Sequence, residues 1–260
     1  MLLVLSLVFG RNLFDDLGVA VGDAPAAAPG SAPGSAPGVA SGASPDTPAE
    51  RDLVEFVTFV LNDAQTTWTK LLASTGTPYR DARLVLFRGA TRSGCGDAES
   101  AMGPFYCPVD EKVYIDLGFY DELHRRFGAP GDFAEAYVIA HELGHHVQKI
   151  LGTEPRVRAM QERNPSQANA LSVMMELQAD CLAGVWGHST EQRQVLDKGD
   201  VNEGLSAAAA VGDDRLQQQS RGGVHPESFT HGSSAQRTTW FSRGFQSGDI
   251  NSCDTFAAGR

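Results

Sequence analysis

Apolar residues recur at three- and four-residue spacing along several stretches of the chain, which is the mark of helices with one buried face. Leu53, Phe56, Val57, Val60, Leu61, Ala64, Trp68, Leu71 and Leu72 form one such stripe. Thr47 and Pro48 open it, so a helix is predicted from there to Ser74. A second stripe runs through Phe133, Ala136, Tyr137, Ala140, Leu143, Gly144, Val147 and Leu151. It predicts a helix from Asp132 to Leu151, with Asp132 as N-cap, Glu135 three residues on and Gly152 as the stop. A third helix is predicted from Ser166, its cap, to Trp186, facing the core through Leu171, Met174, Met175, Ala179, Leu182 and Val185. Asp200 with Glu203 opens a helix reaching about Gln219, and Ser233 with Gln236 opens the last one. Strand patterning is confined to Arg83–Phe87 and to a hairpin between Met102 and Leu117, whose strands Phe105–Cys107 and Val113–Asp116 flank a turn at Pro108–Lys112. The pattern is that of a mostly helical α+β fold.

Periodicity stops at the N-terminal end. Residues 24–48 are almost entirely Ala, Pro, Gly and Ser, a composition that buries no core and behaves as a disordered linker. One folded domain is therefore expected over residues 49–260. Within residues 1–23, Met1 to Gly10 is apolar but too short to span a bilayer. It also lacks the basic start and small-residue cleavage site of a signal peptide, and reads as the tail of a membrane segment.

The second helix carries His141-Glu142-Leu143-Gly144-His145. On a helix this spacing sets two imidazoles one turn apart on one face, able to grip a single metal. Glu142 lies between them, within reach of a water on that metal without being a ligand. The spacing thus specifies metal-assisted hydrolysis. His146 points about 100° away from the ligand face and reads as structural. A glycine three residues and a histidine six residues after His145 would mark a three-histidine site; Gln148 and Leu151 stand there instead.

The third ligand must then come from another element. Glu176 and Asp180, four apart on the third helix, can divide the work: one carboxylate binds metal and the other accepts the free ring N–H of a metal-bound histidine. Glu176 as ligand and Asp180 as its partner is the favoured assignment, and spacing alone leaves the reverse open. Buried on a helix with apolar flanks, either carboxylate would cost several kcal/mol, roughly, without such a partner.

Five segments in this order resemble the bacterial neutral zinc metallopeptidase family: Ala140 to Val147, Glu176 to Trp186, Gly212-Asp-Asp-Arg-Leu-Gln217, Ser228 to Ser234, and Cys253-Asp-Thr-Phe256. The resemblance runs from about residue 50 to the C-terminus. It implies a zincin-like domain of the glutamate type with a small antiparallel sheet beside the metal helix. It further implies one Zn2+ held by His141, His145 and Glu176, and a domain outside the cytoplasm behind an N-terminal membrane segment. In that frame Glu142 is the general base, and His231, in a loop leading to the helix capped by Ser233, is the candidate donor to the oxyanion. His225 and Tyr114 are weaker candidates.

Of three possible pairings of the four cysteines, Cys95 with Cys107 and Cys181 with Cys253 is favoured by proximity and by the resemblance. Disulfides imply an oxidising, extracytoplasmic compartment. A net charge of −11 with no basic run argues against a nucleic-acid partner. Two functions remain in play: a zinc metallopeptidase acting on extracytoplasmic proteins or peptides, and a zinc-stabilised, catalytically inactive binding module. Glu142 favours the first, because a purely structural site needs no base. The Asp213-Asp214-Arg215 cluster reads equally as a buried ion pair or a solvated face.

Overall fold

The computed structural model describes residues 39–41, 47–125 and 128–257. Helices α1 (Pro48–Ala73), α2 (Phe119–Arg125), α3 (Asp132–Ile150), α4 (Thr153–Arg163), α5 (Ala168–Gln192), α6 (Asp200–Ala210), α7 (Asp213–Arg221) and α8 (Ser234–Ser247) build most of it. A four-stranded sheet has the order β1 (Val39–Ser41), β2 (Arg83–Phe87), β6 (Lys112–Asp116), β5 (Phe105–Cys107). Strands β3 (Ala90–Ser93) and β4 (Gly96–Glu99) form a separate hairpin.

α3 is the centre. Fourteen of its residues are buried, including polar His141, Glu142, His146 and Gln148, because α1, α5, α6 and the sheet all pack on it. α1 presents the expected stripe, with Leu61, Ala64, Trp68 and Leu72 fully buried. Its start is the expected one: Thr47 accepts the Glu50 N–H at 3.2 Å while Glu50 accepts the Thr47 N–H at 3.0 Å. α5 and α8 approach at backbone distance. A Cβ on Gly184 would lie 2.1 Å from the Phe241 carbonyl oxygen, and one on Gly244 would lie 1.9 Å from that of Cys181. Beside this contact the Cys181–Cys253 disulfide ties the C-terminal turn to α5, and Cys95–Cys107 closes the β3–β4 hairpin onto β5. The two bonds fit an oxidising, extracytoplasmic setting. Among the described residues no helix is long and apolar enough to cross a membrane.

Several expectations need correction. The sheet is mixed and not purely antiparallel. β5 and β6 pair antiparallel as the hairpin predicts, but β2 runs parallel to β6, with Arg83 opposite Lys112. The β3–β4 hairpin and a 3-10 turn at Ser100–Met102 supply the crossover that a parallel pair needs. Val39–Ser41, inside the stretch read as linker, adds to β2 as a parallel strand. Met1 to Gly10 and the rest of residues 1–38 lie outside the described residues. α3 begins at Asp132, but Gly131 and not Asp132 is the N-cap, and Glu203 on α6 accepts the Phe133 N–H at 3.3 Å, so its cap is tertiary. Leu151 is 40 % exposed, since the helix has ended by then. Ser166 sits in a 3-10 turn ahead of α5 and makes no side-chain cap. The helix predicted from Asp200 to about Gln219 is broken in two, where Ser234 Oγ takes the Ala209 carbonyl at 2.8 Å and Asp213 N–H turns to the Gly232 carbonyl at 2.9 Å.

Candidate metal centre

α3 and α5 cross so closely that a Cβ on Gly144 would stand 2.9 Å from the Ala179 carbonyl oxygen. This approach brings His141 and His145 of α3 against Glu176 of α5. Their ligand atoms all lie within 4.8 Å of one another. His141 Nε2 is 3.1 Å and His145 Nε2 is 3.5 Å from the two Glu176 carboxylate oxygens.

Each imidazole is held from behind at Nδ1. His141 Nδ1–H donates to Asp180 Oδ1 at 2.8 Å, and that carboxylate also accepts from Tyr137 Oη (2.5 Å) and from Arg237 Nε and Nη2 (2.8 and 2.9 Å). His145 Nδ1–H donates instead to Gln148 Oε1 at 2.9 Å. Both Nε2 lone pairs are thereby left for the side that Glu176 faces.

Burial pulls the His141 imidazole down, but Asp180 and Glu176 push it up to about 10. Burial would likewise raise the Glu176 carboxyl, yet the surrounding imidazoles hold it well below its usual range. The cluster therefore favours positive charge at this point. A divalent metal supplies that charge as the imidazoles shed their protons, and two imidazole nitrogens with a carboxylate are a donor set suited to it.

Glu142 faces the same cleft. Burial raises its carboxyl, with His141, His145 and the Tyr106 backbone N–H of the edge strand β5 acting in opposition. His146 is turned away, accepting from Tyr106 Oη at 2.8 Å and donating to the Arg80 carbonyl at 2.6 Å, so its role is structural. His231 lines the cleft, while Tyr114 packs on Phe105 and bonds Asp110 outside it; His225 is exposed beside Glu227.

Asp213, undecided from sequence, is the support of the His231 loop. Its Oδ2 accepts the N–H groups of Thr230, His231 and Gly232 at 2.7, 2.7 and 3.2 Å, and its Oδ1 faces His231 Nδ1 at 3.2 Å. Burial lowers the His231 imidazole, but Glu176 and Asp213 raise it above its ordinary value. Asp214 fastens the next turn, accepting the Ser234 N–H at 2.7 Å. Reading the sequence missed Arg237, Asp213 and Gln148. Asp213, within a motif segment, and Gln148, where a three-histidine site would have glycine, left a trace there; Arg237 left none.

The apolar lining of the cleft includes Met102, Pro104, Phe105, Phe119, Val211 and Leu216. Asp116 secures its lip, accepting from Ser100 Oγ at 2.6 Å and from the Gly89 and Gly118 N–H groups at 2.7 Å each.

Residues 1–256 match the family described as "Putative neutral zinc metallopeptidase". The chain belongs to this family. Relatives of this neutral zinc metallopeptidase family member include the uncharacterized protein YpfJ of Escherichia coli strain K12, 57 % identical over 212 residues, covering 81 % of this chain and 74 % of that one. The uncharacterized protein Mb2605 of Mycobacterium bovis is 46 % identical over 208 residues, covering 76 % and 68 %. No solved structure matches the chain.

Proposed function

We propose that this protein is a zinc-dependent peptidase that hydrolyses peptide bonds in extracytoplasmic proteins or peptides. His141, His145 and Glu176 would hold the zinc, with Asp180 as the acceptor behind His141. Zinc bound there supplies Lewis acidity to an amide carbonyl and acidifies water. The observation that carries the reading is Glu142: a buried carboxylate next to His141 on α3, lining the same cleft as the three ligands. It takes a proton from the attacking water and delivers it to the leaving amine. His231, held in the cleft by Asp213 and raised by Glu176 and Asp213 against the effect of burial, donates to the oxygen on which charge develops. The apolar walls exclude competing water from the reacting bond.

The disulfides support an extracytoplasmic site of action, and the apolar Met1 to Gly10 suggests a tether to a membrane. Glu142→Gln keeps the shape and the hydrogen-bond acceptor but loses the base. Zinc content should be unchanged and cleavage of a peptide library should fall at least about a hundredfold. A variant that cleaves as fast as its parent refutes the mechanism. A parent that binds zinc but cleaves nothing leaves the zinc-stabilised binding module.

A further inference from the structure

The two histidines of the cluster are supported by different chemistry. Behind His141 stands an ionic group, Asp180 with Arg237 and Tyr137. Behind His145 stands a chain of neutral amides leading to the C-terminus. Gln148 Oε1 accepts from His145 Nδ1–H at 2.9 Å. Gln148 Nε2 donates to the Met175 carbonyl at 2.7 Å and to Gln178 Oε1 at 3.2 Å. Gln178 Nε2 donates to the Cys253 carbonyl at 2.9 Å.

This chain has one permitted direction. A main-chain carbonyl only accepts, so the Cys253 carbonyl turns the Gln178 amide with its NH2 outward and its oxygen towards Gln148. That oxygen, together with the Met175 carbonyl, turns the Gln148 NH2 away from His145 and its oxygen towards it. His145 must then carry its proton on Nδ1 and keep the Nε2 lone pair for the side that Glu176 occupies. Cys253 is held in place by its disulfide to Cys181, and Thr255 Oγ1 donates to the Met174 carbonyl at 2.7 Å. The C-terminal turn thus holds α5 at the Met174 carbonyl, the Gln178 amide and Cys181.

We propose that the Met175 carbonyl and the Gln178 amide, the latter held by the C-terminal turn that the Cys181–Cys253 disulfide locks, together set the tautomer of His145 through Gln148 and so set how tightly the site holds zinc. Gln148 and Gln178 are positioning residues, not ligands. The proposal rests on the reading of His145 as a ligand. Gln178→Leu breaks the relay one residue short of any group that touches the metal site. Gln178→Glu loses the bond to Cys253 but puts an acceptor-only carboxylate against Gln148 Nε2, which orients that amide as the carbonyl did.

The test is zinc affinity of the full chain by chelator competition, with the 15N signals of the histidine rings recorded in parallel. Gln148→Leu should weaken zinc binding about ten- to a hundredfold and remove the protected His145 Nδ1–H signal; Gln178→Leu should weaken it about tenfold. Gln178→Glu should recover most of the affinity, which mere anchoring of the tail would not allow. The proposal is overturned if both leucine variants hold zinc as tightly as the parent, or if Gln178→Glu is as weak as Gln178→Leu. A parent that binds zinc no more tightly than His145→Ala overturns the zinc reading and the relay together. Cleavage that fails while the affinity ranking holds refutes the peptidase reading alone.

Discussion

Arg237→Met is the substitution whose consequence the structure defines most fully. The guanidinium is buried, with 4 % of its side chain exposed, against a fully buried Asp180. Methionine fills the volume of the arginine stem, so the change removes charge and hydrogen bonds with little loss of packing. What goes are two charge-assisted bonds to Asp180 and the donors to Tyr137 Oη (3.1 Å) and the Val211 carbonyl (3.3 Å). Breaking a buried pair by removing one partner costs about 3–5 kcal/mol when the other charge is left uncompensated, and the lower end is expected here because His141 and Tyr137 still donate to Asp180. For a domain of this size about 2–4 °C of melting temperature goes with each kcal/mol, so a fall on the order of 10 °C is expected at pH 7. Burial raises the Asp180 carboxyl, but Arg237 and His141 together bring it below its ordinary 3.8. A depressed carboxylate stabilises above its unfolded pKa and loses that contribution as pH falls through the folded one. The gap between variant and parent should therefore narrow below about pH 4. Differential scanning calorimetry from pH 3 to pH 8, on zinc-free protein of both, reads this directly. A loss under about 2 °C at pH 7, or a gap independent of pH, would refute the account of Asp180 as a carboxylate stabilised mainly by Arg237.

Other outcomes follow from the same geometry. Asp213→Asn removes the charge that helps to raise His231; the alkaline limb of kcat/KM should move to lower pH, and an unmoved limb would exclude His231 as the cationic donor. Replacing Cys95 and Cys107 by serine opens a short loop and should cost about 3 kcal/mol in denaturant unfolding under oxidising conditions. Gly244→Ala forces a methyl group into the Cys181 carbonyl and should destabilise by more than the roughly 1–3 kcal/mol of ordinary overpacking, measured by thermal melting.

What the sequence made legible was what local chemistry decides. The helix start at Thr47 and Pro48 and the capping box at Ser233 with Gln236 are each decided within one helical turn, and both occur where expected. The β5–β6 hairpin is likewise a local structure, with Phe105 opposite Tyr114. His141 and His145 share a helix face because their spacing dictates it. The parallel pairing of β2 with β6 was not legible, since register between distant strands leaves no mark in either strand alone. Nor was the break between α6 and α7, which depends on Ser234 arriving from far along the chain to take the Ala209 carbonyl. Arg237 was invisible for the same reason: its partner Asp180 lies on another helix, and an arginine in a first turn is ordinarily solvated. Gln148 drew notice only as the residue that excluded a three-histidine site, whereas the fold uses its amide to hold His145.

The central claim is that a metal gripped by His141, His145 and Glu176 drives peptide hydrolysis. It is tested most directly by titrating zinc back into chelator-stripped protein while following both bound metal and cleavage of a peptide library. The account predicts that cleavage vanishes on stripping and returns in proportion to zinc, saturating at one equivalent per chain, with Glu142→Gln binding that equivalent and remaining inactive. Cleavage that survives stripping, or that returns without zinc occupying this site, would contradict it.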